Sequence, residues 1–399
     1  MATDRGGAGE SPALRIAPPD FLAAPGLRAV LAALPGARVV GGAVRDALAG
    51  REVADIDLAT GMRPDEVTRR LLAAGLKAVP TGIHHGTVTA IADHRGFEVT
   101  TLRRDIETDG RHAVVDYTDD WRADAARRDF TINAMSLAPD GAVFDYFGGV
   151  ADLRAGLVRF VGDATTRIAE DYLRILRFFR FHARYGGGAP DPQALAAIRA
   201  GVPGMARLSA ERVWSELKRI LATPDPTGAV ALMQATGVLP AVLPEGASPD
   251  RLARLVAAGA PPDPMLRLAA LLQGDAAALA ARLRFSMAER DCLLALRSGD
   301  VPPDESDDAT LRRALADTST HILEGRAWLA GRGADLRARL AALPRPVFPL
   351  RGRDLEAAGV APGPRLGQLL GHMRAWWLDG GCVADAAACR AELARLLAA

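Results

Sequence analysis

A change of texture near Val150 constrains this chain more than any other feature. Before it, short runs rich in β-branched residues recur: ARVVGG at 37–42, DIDLA at 55–59, GTVTAIA at 86–92 and FEVTTLR at 97–103. FTINAMSLA and GAVFDYF then flank a Pro-Asp-Gly turn. Such runs suit a pleated, half-buried surface, and turn residues bound each of them. After Val150, Ala, Leu and Arg repeat at helical spacing, broken by Pro and Gly clusters at 186–192, 201–204, 224–226, 239–249, 260–264 and 302–303. The expected class is α+β, with a small mixed-sheet head over 25–150 and helices thereafter, divided as 151–222, 223–300 and 301–399. Residues 1–24, rich in Gly, Pro and charge, are expected to be disordered. No fixed-period repeat argues for a solenoid.

Composition narrows the class. The 399 residues carry a net charge of +1, so bulk charge announces no polyanionic partner. The charge is uneven, however: from Ala151 to Leu221 there are twelve Lys or Arg against seven Asp or Glu. No run approaches the roughly 18 apolar residues of a membrane span, and the first twenty residues have no apolar signal core. The expectation is a cytoplasmic protein with no membrane partner. Three cysteines, Cys292, Cys382 and Cys389, lack metal-ligand spacing and read as buried thiols in a reducing compartment.

Four motifs carry chemistry. VVGGAVRDALAG, 39–50, runs a strand through two glycines into a helix. That is either a tight turn or a phosphate site, in which Gly42 lets backbone amides approach and Arg45 adds a bidentate donor. Ten residues on, ADIDLAT holds Asp55 and Asp57, which strand alternation would set on one face. Two like charges so placed repel unless a cation lies between them, and Mg²⁺ takes such oxygen donors while keeping several waters. Glu98, in FEVTTLR, is either a third carboxylate from a neighbouring strand or a surface glutamate. RRDFTINAM, 127–135, places Arg128 where it would reach a triphosphate, with Asp129 to orient it. EDYLRILRFFRFHARYG, 170–186, reads as a helix. At about 100° per residue, Asp171 and Arg174 lie about 60° apart on one side, and Arg177 and Arg180 continue the stripe. A solvated ion pair is the plain reading of Asp171 and Arg174. Beside a nucleotide, the same pair would accept from the exocyclic amine of cytosine or adenine and donate to the neighbouring ring nitrogen.

In this order GGAVRD, ADIDLAT, RRDFTINAM, EDYLRILRFFRF and ERVWSELKRIL (211–221) resemble the class II tRNA nucleotidyltransferase and bacterial poly(A) polymerase family of the polymerase β-like superfamily. The strong resemblance covers about 25–225, and GRDLEAAGVAPGPRLGQLLGHMRAWWLDG, 352–380, resembles the family's tail element near the tRNA. It implies a catalytic head, a neck that serves as nucleotide template and RNA site, a helical body and a tRNA-binding tail. It also implies Asp55 and Asp57 as Mg²⁺ ligands and Gly42, Arg45 and Arg128 on the nucleotide triphosphate. Asp171 and Arg174 become the template for CTP and ATP, with Arg177 and Arg180 supporting phosphate or template. The implied activity is addition of CCA to tRNA 3′ ends; a poly(A) polymerase or a CC- or A-adding enzyme is the rival within the family, and an inert RNA-binding scaffold the rival outside it. Residues 103–121 fall where the family has a flexible loop. His84 and His85 match no functional position.

Overall fold

The computed structural model describes residues 10–82, 86–108 and 113–398. Two compact units emerge, Met1–Val242 and Leu243–Ala399. In the first, the head is built on strands β1 (Leu14–Arg15), β2 (Arg38–Val40), β3 (Asp57–Thr60), β4 (Lys77–Gly82), β5 (Thr87–Ala92), β6 (Arg95–Thr101), β9 (Met135–Leu137) and β10 (Ala142–Asp145). They form one mixed sheet in the order β1-β10-β9-β2-β3-β6-β5-β4. β3 and β6 run parallel, while the other neighbouring pairs are antiparallel.

Helices α1 (Pro25–Ala33) and α3 (Pro64–Ala73) cover one face of this sheet. Each begins with Pro at its first position, where the missing N–H costs nothing. Leu27, Val30, Leu34, Val67 and Leu71 pack there against Val39, Leu58, Val88, Phe97, Val99 and Leu137. Because strand side chains alternate, that leaves Asp57 and Glu98 on the uncovered face. There only Val40, Ala59 and Leu102 form a small apolar patch with Trp121.

Within the head lie also α2 (Gly42–Leu48) and α4 (Trp121–Ala126), and after β10 follow α5 (Gly149–Arg154), α6 (Ala164–Glu170), α7 (Leu173–Tyr185), α8 (Pro192–Gly201), α9 (Ala210–Leu221), α10 (Thr227–Ala235) and α11 (Val238–Val242). α7 buries Leu173, Ile175, Leu176, Phe178, Phe179, Phe181 and Tyr185 and leaves its arginines on the other side. Its phenylalanines dock on Phe130 and Phe160, with ring centroids 4.9 Å apart for Phe130–Phe160 and 5.3 Å for Phe130–Phe181. This aromatic core fastens head to neck, since edge-to-face pairs add to the burial of their large rings. The second unit is helical from α12 (Pro249–Ala257) to α21 (Ala386–Ala398). Its separate cores gather around Leu311, Leu323 and Leu336 and around Leu355, Met373 and Trp377. The helix Pro364–Asp379 opens at the Pro-Gly-Pro turn. All three cysteines are free, Cys382 and Cys389 buried and Cys292 partly so, and no described helix is long and apolar enough to cross a membrane.

Several expectations need correction. Residues 10–24 are ordered: β1 pairs with β10, Leu22 is buried, and Glu10 accepts from Tyr146 at 2.7 Å. Polar composition hid a strand that needs only two ladder partners. FTINAM does not start as a strand, because Thr131–Asn133 form a 3₁₀ turn before β9. Residues 103–121 hold a two-stranded ribbon, β7 (Arg103–Thr108) with β8 (Ala113–Tyr117), although 109–112 lie outside the described residues, as do His84 and His85. EDYLRIL is not one helix. The helix breaks at Asp171, whose backbone is extended (φ −154°, ψ 106°), so Asp171 caps α6 and Arg174 lies in the first turn of α7.

Candidate active site

The site is an acidic edge facing a basic wall. Asp57 begins β3, and the parallel register sets Glu98 of β6 directly beside it. Asp55 precedes the strand, in the coil leading into it, so the two aspartates do not share one strand face as alternation suggested. The effect on Asp57 is nevertheless the expected one. Burial, then the Glu98 carboxylate, raise its pKa, Asp55 adds to the rise, and Arg128 opposes it. Among the described residues no ion pair or side-chain hydrogen bond reaches Asp55, Asp57 or Glu98.

The Gly-Gly turn brings the wall close. Gly41 has φ 68° and ψ −126°, which glycine alone adopts readily, and a Cβ there would sit 3.0 Å from Arg128 Nη1. Gly41, more than Gly42, is therefore the glycine the geometry requires. Arg45 projects from α2 and is buried; it donates to Asn133 Oδ1 at 2.6 Å and to Asp46 Oδ1 at 3.1 Å. Asn133 in turn donates to Asp129 Oδ1 at 3.0 Å, and Arg177 Nε donates to Asp129 Oδ2 at 2.7 Å. Asp129 thus ties the neck helix to the head and does not orient Arg128. Burial works to raise the Asp129 pKa, but Arg177, Asn133 and the Phe130 amide outweigh it and hold the group below its ordinary value. Arg128 is held instead by Asp124, whose Oδ2 accepts from it at 3.3 Å.

Asp171 and Arg174 do not pair with each other. Arg212 of α9 donates to Asp171 Oδ2 at 2.6 Å, and the Leu173 amide donates to Asp171 Oδ1 at 3.1 Å. Arg174 pairs with Glu170 and donates to the Arg167 carbonyl at 2.7 Å. The break at Asp171 takes the two residues out of a shared helical register, and partners on either side lock them.

These elements enclose a cavity of about 470 Å³ lined by Gly41, Gly42, Arg45, Asp57, Arg128, Asp129, Asn133, Asp171, Arg174, Arg177 and Arg212, among others. Of the residues singled out from sequence, Gly42, Arg45, Asp57, Arg128, Asp171, Arg174 and Arg177 come together there. Asp55 and Glu98 border Asp57 without lining the cavity. Arg180 goes elsewhere, 2.7 Å from Glu216. Sequence reading missed Gly41, Asp124, Asn133, Glu170 and Arg212. Gly41, Asn133, Glu170 and Arg212 each lay inside a quoted motif, and only Asp124 lay outside them all.

The carboxylate edge offers oxygen donors only, and the mutual repulsion at Asp57 is what a divalent cation would relieve. Among the described residues no three His, Cys, Asp or Glu gather as a ready-made cage. A protein pair leaving other positions to water and phosphate suits a small hard ion. The cavity can therefore hold a cation, a polyphosphate and a base edge side by side.

Known proteins resemble this chain in sequence and fold. Residues 37–159 match the poly(A) polymerase head domain, and 189–248 match the probable RNA and SrmB-binding site of polymerase A. The Homo sapiens mitochondrial CCA tRNA nucleotidyltransferase 1 is 39% identical over 365 residues, spanning 86% of this chain and 83% of that protein. The CCA-adding enzyme of Levilactobacillus brevis is 31% identical over 382 residues, spanning 89% of this chain and 93% of its own. The crystal structure of the Bacillus stearothermophilus CCA-adding enzyme in complex with CTP superposes with a TM-score of 0.69 at 29% identity, over 86% of this chain and 89% of that one. Nucleotidyltransferases of this kind use a divalent metal. Head and helical remainder agree with these likenesses, and the chain belongs to the CCA tRNA nucleotidyltransferase family.

Proposed function

We propose that the protein adds C, C and A to the 3′ end of tRNA from CTP and ATP, the 3′-hydroxyl attacking the α-phosphate and pyrophosphate leaving. One observation carries this reading: a single cavity sets Asp57 opposite Arg45 and Arg128 and beside the locked Asp171 and Arg174. Asp55 and Asp57 would hold Mg²⁺, which when bound neutralises charge on the phosphate oxygens and on the leaving pyrophosphate. Glu98 adds a third negative charge to the same edge. Arg45 and Arg128 receive the triphosphate with their guanidinium groups already oriented by Asn133, Asp46 and Asp124. Arg177 braces that wall through Asp129.

Asp171 and Arg174 select the base. A carboxylate accepts from the amine of cytosine or adenine, and a guanidinium donates to the adjacent ring nitrogen. Uracil and guanine put a carbonyl oxygen against the carboxylate, leaving acceptors unpaired in a buried site, a mismatch that supports strong rejection. Arg212 and Glu170 keep the two groups from drifting, so the same edge reads both nucleotides. The neck, body and tail (151–222, 223–300 and 301–399) bind the tRNA through shape and phosphates. We place the enzyme in the cytoplasm, where its three free thiols stay reduced.

The test uses purified protein, Mg²⁺ and tRNA lacking its last three nucleotides, with each nucleotide triphosphate supplied alone and together. CTP alone should add two residues, and ATP should add one only after them. Long A runs from ATP alone would overturn the reading.

A further inference from the structure

A second cavity of about 560 Å³ shares Arg45 and Phe181 with the nucleotide cavity. Its other charged walls are Arg51, Arg180, Arg184 and Arg219, and no carboxylate among the described residues lines it. Three guanidinium groups gather over one ring, that of Tyr185: Arg45 at 4.4 Å, Arg51 at 4.9 Å and Arg184 at 5.6 Å. Tyr185 itself is buried and donates to Asp46, so its ring holds cations and is not free to stack on a base. Arg51, Arg184 and Arg219 are exposed to solvent, while Arg45 and Arg180 form the inner wall.

Some of this charge has a structural use. α2, α7 and α9 all end near the cavity, each with an arginine in its last turn. Asp46 pairs with Arg45, and Glu216 lies 2.7 Å from Arg180 and 3.6 Å from Arg219. Each helix C-terminus contributes about half a negative charge, so three ends and two carboxylates offset roughly three and a half of the five positive charges. The remainder, between one and two charges, matches one phosphate group. The cavity is far larger than a free phosphate ion, and its rim is open.

We propose that this cavity is a phosphodiester-binding subsite for the RNA strand whose 3′ end is extended in the neighbouring cavity. This rests on the RNA-extending reading above. The strand must approach the nucleotide cavity, and the shared Arg45–Phe181 wall puts a phosphate-sized excess of positive charge beside that cavity. The same chemistry would take a free anion, so the experiment separates the two sources.

The full-length protein is compared with the R184Q/R219Q double variant, both positions being exposed. With tRNA lacking CCA, KM for tRNA should rise about tenfold, while kcat and KM for CTP stay within about twofold. The slope of log KM against log salt should fall by about two, one for each guanidinium that no longer neutralises a phosphate. The R184K/R219K variant should restore most of the tRNA affinity, because a phosphate needs charge more than a particular shape. An unchanged KM for tRNA overturns the proposal, as does a loss that the lysines do not recover. Altered inhibition by inorganic phosphate with unaltered tRNA affinity assigns the cavity to a free anion and also overturns it. Direct tRNA binding by filter retention reads the subsite even if the parent protein adds no nucleotide, an outcome that would sink only the catalytic reading.

Discussion

The acidic edge and the basic wall of the nucleotide cavity are built on opposite principles. Each of the five arginines on the wall has a partner from the fold: Arg45 has Asn133 and Asp46, Arg128 has Asp124, Arg174 has Glu170, Arg177 has Asp129 and Arg212 has Asp171. Across from them Asp55, Asp57 and Glu98 have no ion-pair partner among the described residues, and burial, then Glu98 and Asp55, raise the Asp57 pKa against the opposing effect of Arg128. The wall is complete without ligand, so the entropy of ordering long side chains is met on folding and not on binding. The edge keeps a repulsion that Arg128 offsets in part and that a bound cation would relieve further. In the proposed reading, nucleotide binds on rigid donors and the chemistry depends on metal.

Breaking the edge should therefore stop catalysis without unfolding the protein. Asp57→Asn removes a charge that is repelled in the fold, so kcat should fall by at least about a thousandfold while the thermal midpoint of the metal-free protein holds or rises. Activity within tenfold of the parent would end the metal assignment. Breaking the wall should do the reverse. Asp129→Ala strands Arg177 without its buried partner and leaves Asn133 half satisfied, and urea unfolding should show a loss of about 3 kcal/mol. A loss under about 1 kcal/mol would mean that the wall is not prebuilt.

Acid should single out the wall as well. Asp129 and Asp124 both have pKa values below the ordinary carboxylate value, Asp129 through Arg177 and Asn133, Asp124 through Arg127 and Arg128, in each case against the opposing effect of burial. A lowered folded pKa contributes stability that is present above the unfolded value and lost as pH falls through the folded one. Stability should thus be flat near neutrality and decline below about pH 4, with Asp129→Asn losing part of that slope. An unchanged slope in that variant would show that other groups govern acid unfolding. The smallest effect belongs to Arg212, which positions Asp171 without touching the base in this reading. Arg212→Ala should narrow the CTP-over-UTP preference about tenfold with kcat for CTP little changed, and Arg212→Lys should recover part of it. A uniform loss with all nucleotides would mark Arg212 as structural alone.

What could be read in advance follows a simple division. Asp57, Arg45, Arg128, Asp171 and Arg174 stand in compact motifs where local spacing already implies a shared task, and the cavity gathers all of them. Asp124, Asn133 and Glu170 escaped notice because a residue that orients another has no spacing of its own. Its partner lies on the same short turn by accident of local geometry or, as with Arg45 and Asn133, 88 positions away. The break at Asp171 was hidden because every residue of EDYLRIL is compatible with a helix. There the apolar stripe of α7 begins to face the aromatic core, and packing outweighs weak local propensity.

By itself the sequence determined the class of fold and singled out most of the residues that the cavity gathers. Alternation before Val150 and helical periodicity after it decide which elements can bury their apolar faces, and carboxylates beside a Gly-Gly turn decide what the cavity can hold. Only the tertiary structure decided pairing. Asp171 turned from Arg174 to Arg212, Asp129 from Arg128 to Arg177, and Arg180 left the nucleotide cavity for Glu216. Those choices depend on distances across the chain, where a buried charge takes whichever partner the packed elements bring within reach, since leaving it without one costs more than any local preference can offset.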